Sequence, residues 1–112
     1  KRASARRDLG VAQAAGLHFA SVAHQIRFVA AREALLSESL SPSERKAKTV
    51  AIRAILSDEI RNAERLFELT RNDPRIGFEA SNHYFYLPLD LVEKVINCEH
   101  LSRTWLGPSQ YR

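Results

Sequence analysis

The stretch Ser39-Leu40-Ser41-Pro42-Ser43-Glu44 lies between two long helical patterns and predicts a sharp turn. The Ser41 hydroxyl can accept a hydrogen bond from the backbone of Glu44, while the Glu44 side chain reaches back to the backbone of Ser41. Pro42 then occupies the first helical position, where its missing N–H costs nothing. Two helices joined by so short a turn pack as antiparallel neighbours, so the stretch predicts a helical hairpin.

Upstream of the turn, residues 8–38 are typical of one long helix, with Asp8 as its N-cap. Gly10 and Gly16 lie in its interior, where we expect them to allow close approach of a neighbouring backbone. Apolar residues recur at spacings of three, four or seven, which predicts a stripe that faces the core. This stripe consists of Val11, Ala15, Val22, Ile26, Val29 and Leu36, widened by Phe19, Ala23 and Ala30.

Downstream of the turn, residues 41–72 form the second predicted helix, which ends before Pro74. Glu59 falls between Ile52 and Leu66 at heptad spacing, so the pattern directs its carboxylate toward the core. A buried carboxylate needs a cation, an imidazole or several hydrogen-bond donors beside it. In an antiparallel hairpin we expect that partner to be His18, Gln25 or the loop that follows.

A third, shorter helix is predicted over residues 88–105, with Pro88 at its start and Gly107-Pro108 beyond its end. Glu93 and Lys94 are predicted to point outward from it. The predicted fold class is therefore all-α: a long antiparallel helical hairpin plus a shorter third helix. An ordered aromatic loop over residues 73–87 joins the second helix to the third.

The sequence of this loop, Arg75-Ile76-Gly77-Phe78-Glu79-Ala80-Ser81-Asn82-His83-Tyr84-Phe85-Tyr86, fits no single period. Its aromatic content argues against disorder. One interpretation is structural, with the phenylalanines plugging the helix pair. The other is a substrate site, because aromatic faces beside carboxylate, amide and imidazole groups suit a carbohydrate. The candidate substrate-binding residues are Arg75, Glu79, Asn82, His83, Tyr84 and Tyr86, backed by His18, Gln25 and Glu59 from the hairpin.

Chain length predicts the number of domains, and the distribution of charge bears on nucleic-acid binding. A chain of 112 residues predicts one domain. The net charge is +4, yet the basic residues within 1–7 account for all of it, so this segment is a basic lead-in and nucleic-acid binding is disfavoured.

No segment has the length and hydrophobicity of a membrane span, and no signal peptide is visible. The chain has no Met and opens on Lys1-Arg2, which predicts a fragment of a longer polypeptide.

Metal, cofactor and nucleophile signatures do not emerge from the sequence. No two histidines have the i, i+4 spacing of a helical metal site, and Cys98, the single cysteine, has no partner for a disulfide. Gly77 stands alone rather than in a phosphate-binding loop, and no Ser or Cys lies in a nucleophile elbow. We therefore predict no metal and no cofactor, and we assign no catalytic residue.

Residues 73–101, DPRIGFEASNHYFYLPLDLVEKVINCEHL, resemble a stretch near the C-terminal end of large bacterial glycoside-hydrolase-like proteins. Those proteins place an all-α segment after a catalytic (β/α)₈ barrel. The resemblance implies a helical accessory domain of a carbohydrate-active enzyme, which packs on the rest of its own polypeptide and lends loop residues to a sugar site. The catalytic acids would lie upstream, so none is carried over to this chain. The alternative is a helical protein-interaction or nucleic-acid-binding module that uses the basic N-terminal segment.

Overall fold

The computed structural model describes residues 2–37, 39–73, 75–76 and 88–106, together with the backbone of 78–79 and 84–85. Three α-helices dominate it: α1 (Arg2–Leu36), α2 (Pro42–Asn72) and α3 (Pro88–His100), which continues into a π-helical turn, Leu101–Trp105. Two short strands, β1 (Phe78–Glu79) and β2 (Tyr84–Phe85), pair antiparallel between α2 and α3. The predicted all-α class with three helices is confirmed. The rest of the predicted aromatic loop lies outside the described residues.

The hairpin turn forms as predicted. The backbone N–H of Glu44 donates to the Ser41 hydroxyl at 3.2 Å, and the Ser41 N–H donates to the Glu44 carboxylate at 2.8 Å. This capping box, with Pro42 at the first helical position, fixes the start of α2. Arg45 then donates to the carbonyl of Leu35 at 2.9 Å, which satisfies an orphan carbonyl at the end of α1.

Each helix runs antiparallel to the helix that precedes it in the sequence. The Asn62 amide of α2 donates to the carbonyl of Leu17 in α1 at 2.8 Å, whereas Arg45, near the start of α2, reaches the end of α1. The residue that follows the π-helical turn after α3 in turn lies beside α2, because Arg53 donates to the carbonyl of Leu106 at 2.7 Å. Contacts therefore join the late part of one helix to the early part of the next.

The core divides into two clusters. One lies where the start of α1 meets the end of α2, and the other lies near the hairpin turn. The first contains Ala14, Leu17, Ala63, Leu66 and Leu91, and the second contains Leu35, Ile52, Leu56 and Cys98.

The start of α1 differs from the prediction. The helix begins at Arg2, so Asp8 lies inside it and is not its N-cap. The basic lead-in is therefore helical, and its arginines are exposed on the first turns. Gly16 also differs from the prediction, because no described residue outside its own stretch of helix places an atom within 4 Å of where its Cβ would stand.

The face of α1 that packs against α2 is also not the predicted one. Phe19, Ile26 and Leu36, assigned to the core stripe, are 70%, 66% and 64% exposed. The side that faces α2 is a second stripe at alternating spacings of three and four, half a turn away. Its members, which are buried or half-buried, are Ala14, Leu17, Ser21, His24, Phe28, Ala31 and Leu35. Two polar residues, Ser21 and His24, interrupt this stripe, so the hydrophobic pattern along α1 favours the other one.

Candidate functional site

A cluster of polar side chains lies at the middle of the bundle and receives a contribution from each helix. The Glu59 carboxylate of α2 accepts a hydrogen bond from the Ser21 hydroxyl of α1 at 2.5 Å. Its other oxygen lies 2.5 Å from Nδ1 of His24, one turn further along α1. From α3, Nζ of Lys94 lies 2.7 Å from Glu59 and donates to the Ser21 hydroxyl at 3.0 Å. We call these four residues the central polar cluster.

The cluster is largely removed from solvent. Ser21 is fully buried, Glu59 is 6% exposed, and the Lys94 side chain is 28% exposed. Burial alone would raise the pKa of Glu59. The hydrogen bonds from Lys94, Ser21 and His24 outweigh it and hold that pKa below its ordinary value of 4.5. Glu59 is therefore ionised at neutral pH, and its hydrogen bond with His24 requires the proton on Nδ1 of that ring.

This arrangement does not have the form of a catalytic site. The Ser21 hydroxyl donates a hydrogen bond to Glu59. It accepts hydrogen bonds from Nζ of Lys94 and, at 3.4 Å, from the Gln25 amide, so its one donor and both acceptor positions are used. A nucleophile must also meet its substrate, and Ser21 has no exposed surface. The central polar cluster instead neutralises one buried carboxylate and joins the three helices at one level.

Cys98 lies on the side of α3 that faces the second core cluster. Burial and the Glu59 carboxylate raise the pKa of its thiol, while Lys94 acts in the opposite direction. A thiol in this state is a poor nucleophile. Cys98 therefore serves as a packed apolar residue.

The predicted site residues of the hairpin do not form one group. Glu59 is buried, as its heptad position predicts, and on α1 it is bonded to Ser21 and His24. The His18 ring lies edge-on to Phe19, with centroids 5.8 Å apart. Gln25 is exposed and reaches the cluster only through Ser21.

The predicted site residues of the loop are only partly described. Arg75 is exposed and bound to Asp73, with Nη2 2.7 Å from Oδ2 and Nε 2.9 Å from Oδ1. The pairing lowers the pKa of Asp73 to about 2. The backbones of Glu79 and Tyr84 are partners across the strand pair. The side chains of Glu79 and Tyr84, and the whole of Asn82, His83 and Tyr86, lie outside the described residues.

Sequence reasoning missed three of the four cluster residues. Ser21 and His24 are polar residues on the less hydrophobic stripe of α1, and Lys94 was predicted to point outward. One signal could have found the first two. A carboxylate on the buried face of α2 requires donors on the facing helix, and Ser21 and His24 supply two of them one turn apart on one stripe of α1.

An exposed apolar surface lies on α1, opposite its buried stripe. Its large members expose between 39% and 70% of their surface. The spacing is that of a heptad seam, with an acidic residue, Glu33, at the seam position between Val29 and Leu36. We call this surface the outer face of α1; its apolar residues are Ala15, Phe19, Val22, Ile26, Val29 and Leu36.

An apolar groove of about 450 Å³ lies between α2 and α3. Phe67 and Leu91 form part of its walls, and Glu64 and Glu68 lie at its α2 side. Val92 and Ile96 of α3 line it and remain 42% and 59% exposed.

Within the described ranges, no three His, Cys, Asp or Glu side chains are grouped so that they could hold a metal ion. Among the helices described, none combines the length and hydrophobicity needed to cross a bilayer. Comparison of the chain with protein-family models, with curated proteins and with solved structures finds no match.

Proposed function

We propose that this chain is a non-catalytic helical module that works by packing against protein, with the outer face of α1 as its contact surface. The observation that carries the proposal is the two-sided apolar character of α1. Its inner stripe packs against α2, whereas the opposite face carries Phe19, Ile26 and Leu36 uncovered. A helix that is apolar on opposite sides is typical of the interior of a larger assembly.

The energetics favour a covering partner. Fully burying a Phe, Ile or Leu side chain contributes about 1.5–3 kcal/mol relative to leaving it in water. Contiguous exposed apolar patches of this kind mark interaction surfaces on soluble proteins. The central polar cluster supports the same function, because a bundle held together at one level presents its outer face as a rigid surface.

An accessory domain of a carbohydrate-active enzyme would use such a face to pack on its neighbouring domain. The sugar site in residues 75–86 is a separate part of that hypothesis and remains a prediction. Titration of the ¹⁵N-labelled chain with oligosaccharides tests it. Shifts confined to 75–86 and lost in His83→Ala would support the sugar site, and unchanged spectra would contradict it.

Two measurements test the contact surface. In the first, Phe19→Ser and Ile26→Ser should leave the free energy of unfolding of the monomer within about 0.5 kcal/mol of wild type, because neither side chain belongs to the core. A loss of several kcal/mol would show that the face is part of the fold's own interior.

In the second, a photoreactive benzoylphenylalanine replaces Phe19 in the intact protein, and Val50, an exposed apolar residue of α2, is the matched control position. Irradiation should attach a polypeptide at position 19 and none at position 50, and Ile26→Glu should abolish the product. Absence of any protein adduct at position 19 would overturn the proposed function.

A further inference from the structure

We infer that a second copy of this chain covers the outer face of α1, forming a two-fold antiparallel helix pair centred between Val22 and Ile26. The inference rests on the proposed function and names its partner. The first argument is periodic. Phe19, Val22, Ile26 and Val29 follow alternating spacings of three and four, the seam that one helix presents to another. The partner is therefore a helix, and α1 itself carries the matching seam.

The second argument is steric complementarity about the two-fold axis. An antiparallel copy sets Phe19 opposite Val29 of the second copy, and Val22 opposite Ile26. Each layer then combines a larger side chain with a smaller one, as interdigitating packing requires. The same residues serve both chains, which is the defining property of an isologous contact.

The third argument is charge. In a parallel pair, Glu33 would face Glu33 of the second copy across the seam, and like charges that face each other are unfavourable. In the antiparallel pair, Glu33 lies opposite Ala15 and one turn from His18 of the second copy. Glu33 is exposed and its carboxylate accepts from Arg32 at 2.9 Å, so it stays paired at the edge of the contact.

The two flanks of the seam also differ in a way that suits close packing. One flank carries Gly16, Ala23 and Ala30, which are small enough to let a second helix approach closely. Among the described residues outside its own stretch of helix, none places an atom within 4 Å of the Gly16 Cβ position, which is compatible with another chain beside it. On the other flank, Gln25 lies beside the two-fold axis, where it meets Gln25 of the second copy.

The size of the seam predicts the strength of association. In the two-fold pair the seam overlaps itself from Ala15 to Glu33, which spans about 27 Å at 1.5 Å per residue. A contact of that length and one helix in width lies at the small end of specific interfaces, so we expect a dissociation constant in the micromolar range. The chain should therefore pass from monomer to dimer over accessible protein concentrations.

Sedimentation velocity over about 1 μM to 1 mM tests the association. Wild type should shift from monomer to dimer, and Ile26→Glu should weaken dimerisation at least tenfold. The matched control is Ile96→Glu, which places the same charge at a comparably exposed isoleucine in the α2–α3 groove and should dimerise like wild type. A wild-type chain that stays monomeric throughout would overturn the inference, as would a dimer disrupted by Ile96→Glu and not by Ile26→Glu.

Cross-linking with a short bismaleimide tests the direction of the helices. Gln25→Cys should link to itself efficiently because it lies at the two-fold axis. Val29→Cys should not, because antiparallel pairing separates the two thiols by about 15 Å along the axis at 1.5 Å per residue. Wild type, with only the buried Cys98, is the control for background. Linking through Val29→Cys and not Gln25→Cys would show a parallel pair and overturn the assignment.

The photo-crosslinking at position 19 separates this inference from the proposed function. If position 19 formed an adduct with a different protein and the chain stayed monomeric, the inference of a second copy would be overturned, while the proposed function would stand.

Discussion

Ser21 on α1 donates a hydrogen bond of 2.5 Å to Glu59 on α2, and both residues are buried. They are far apart in the sequence and meet only because the hairpin folds α2 back along α1. Lys94 of α3 contacts both of them, so one carboxylate ties together all three helices. Removing one partner of a buried ion pair is strongly destabilising, because the remaining charge is left uncompensated. The central polar cluster therefore makes the alignment of the helices depend on a few identifiable atoms.

The first prediction concerns the charge on Glu59. Glu59→Gln keeps the shape but removes the negative charge opposite Lys94, leaving an ammonium group without its counterion. We expect the free energy of unfolding to fall by about 2–4 kcal/mol, measured by urea denaturation. Glu64→Gln, on the exposed side of the same helix, is the control and should change stability by less than about 0.5 kcal/mol. Equal effects of the two substitutions would contradict a structural role for the cluster.

The pH dependence of stability follows from the same carboxylate. The folded-state pKa of Glu59 lies below its ordinary value of 4.5, so folding favours the ionised form. The stabilisation is complete above about pH 4.5 and is lost as pH falls through the lower, folded-state pKa. In urea titrations between pH 7 and pH 3, the stability difference between wild type and Glu59→Gln should shrink below pH 4.5. A difference that stays constant down to pH 3 would argue against a lowered pKa.

A double-mutant cycle on Glu59 and Lys94 measures how strongly the two residues are coupled. The changes are Glu59→Gln and Lys94→Met, alone and together. We expect a coupling energy of about 1–3 kcal/mol, as for contacting residues within one network. The matched control is the exposed pair of Glu68 and Arg71, which lie 3.1 Å apart on α2 and should couple by about 0.5 kcal/mol or less. Similar coupling in both pairs would show that burial adds nothing at Glu59.

The capping box gives a prediction at the hairpin turn. Ser41→Ala removes the oxygen that accepts from the Glu44 N–H, so we expect a loss of about 1 kcal/mol. The control is Lys46→Ala, at an exposed position in the first turns of α2, which should change the free energy of unfolding by only about 0.3 kcal/mol. Chemical denaturation of the two variants beside wild type provides the comparison. A Ser41→Ala variant as stable as wild type would mean that the turn is held by other contacts.

The turn and the central polar cluster show what the sequence could and could not predict. The interactions of Ser41 with Glu44 are local, so residue types at fixed offsets suffice to predict them. The choice between the two stripes of α1 is not local. The stripe with Phe19 and Ile26 is the more hydrophobic, yet the stripe with Ser21 is the buried one, and it supplies donors to Glu59. That choice depends on a residue of another helix, which a period measured along α1 does not include.

Lys94 was mispredicted for a related reason. Its side chain has an aliphatic stem that can follow an apolar surface while the ammonium group reaches a partner. Whether it points outward or toward Glu59 is decided by the position of α3 across the hairpin, and the first core cluster sets that position through Leu91. Sequence position alone therefore assigns Lys94 to the surface, and tertiary packing brings it to the carboxylate.

The last prediction uses the reactivity of Cys98 to follow opening of the bundle. The thiol is 8% exposed, and burial and the Glu59 carboxylate raise its pKa, so little thiolate is accessible in the folded protein. We expect modification by a disulfide reagent at pH 7.5 to be at least 100-fold slower in buffer than in urea, because reaction requires α3 to separate from α2. Cys98→Ala combined with Glu99→Cys moves the thiol to the exposed neighbouring position and should react rapidly without denaturant. Stopped-flow absorbance gives both rates. If native Cys98 reacted as fast as the thiol introduced by Glu99→Cys, the packing of α3 over the second core cluster would be contradicted.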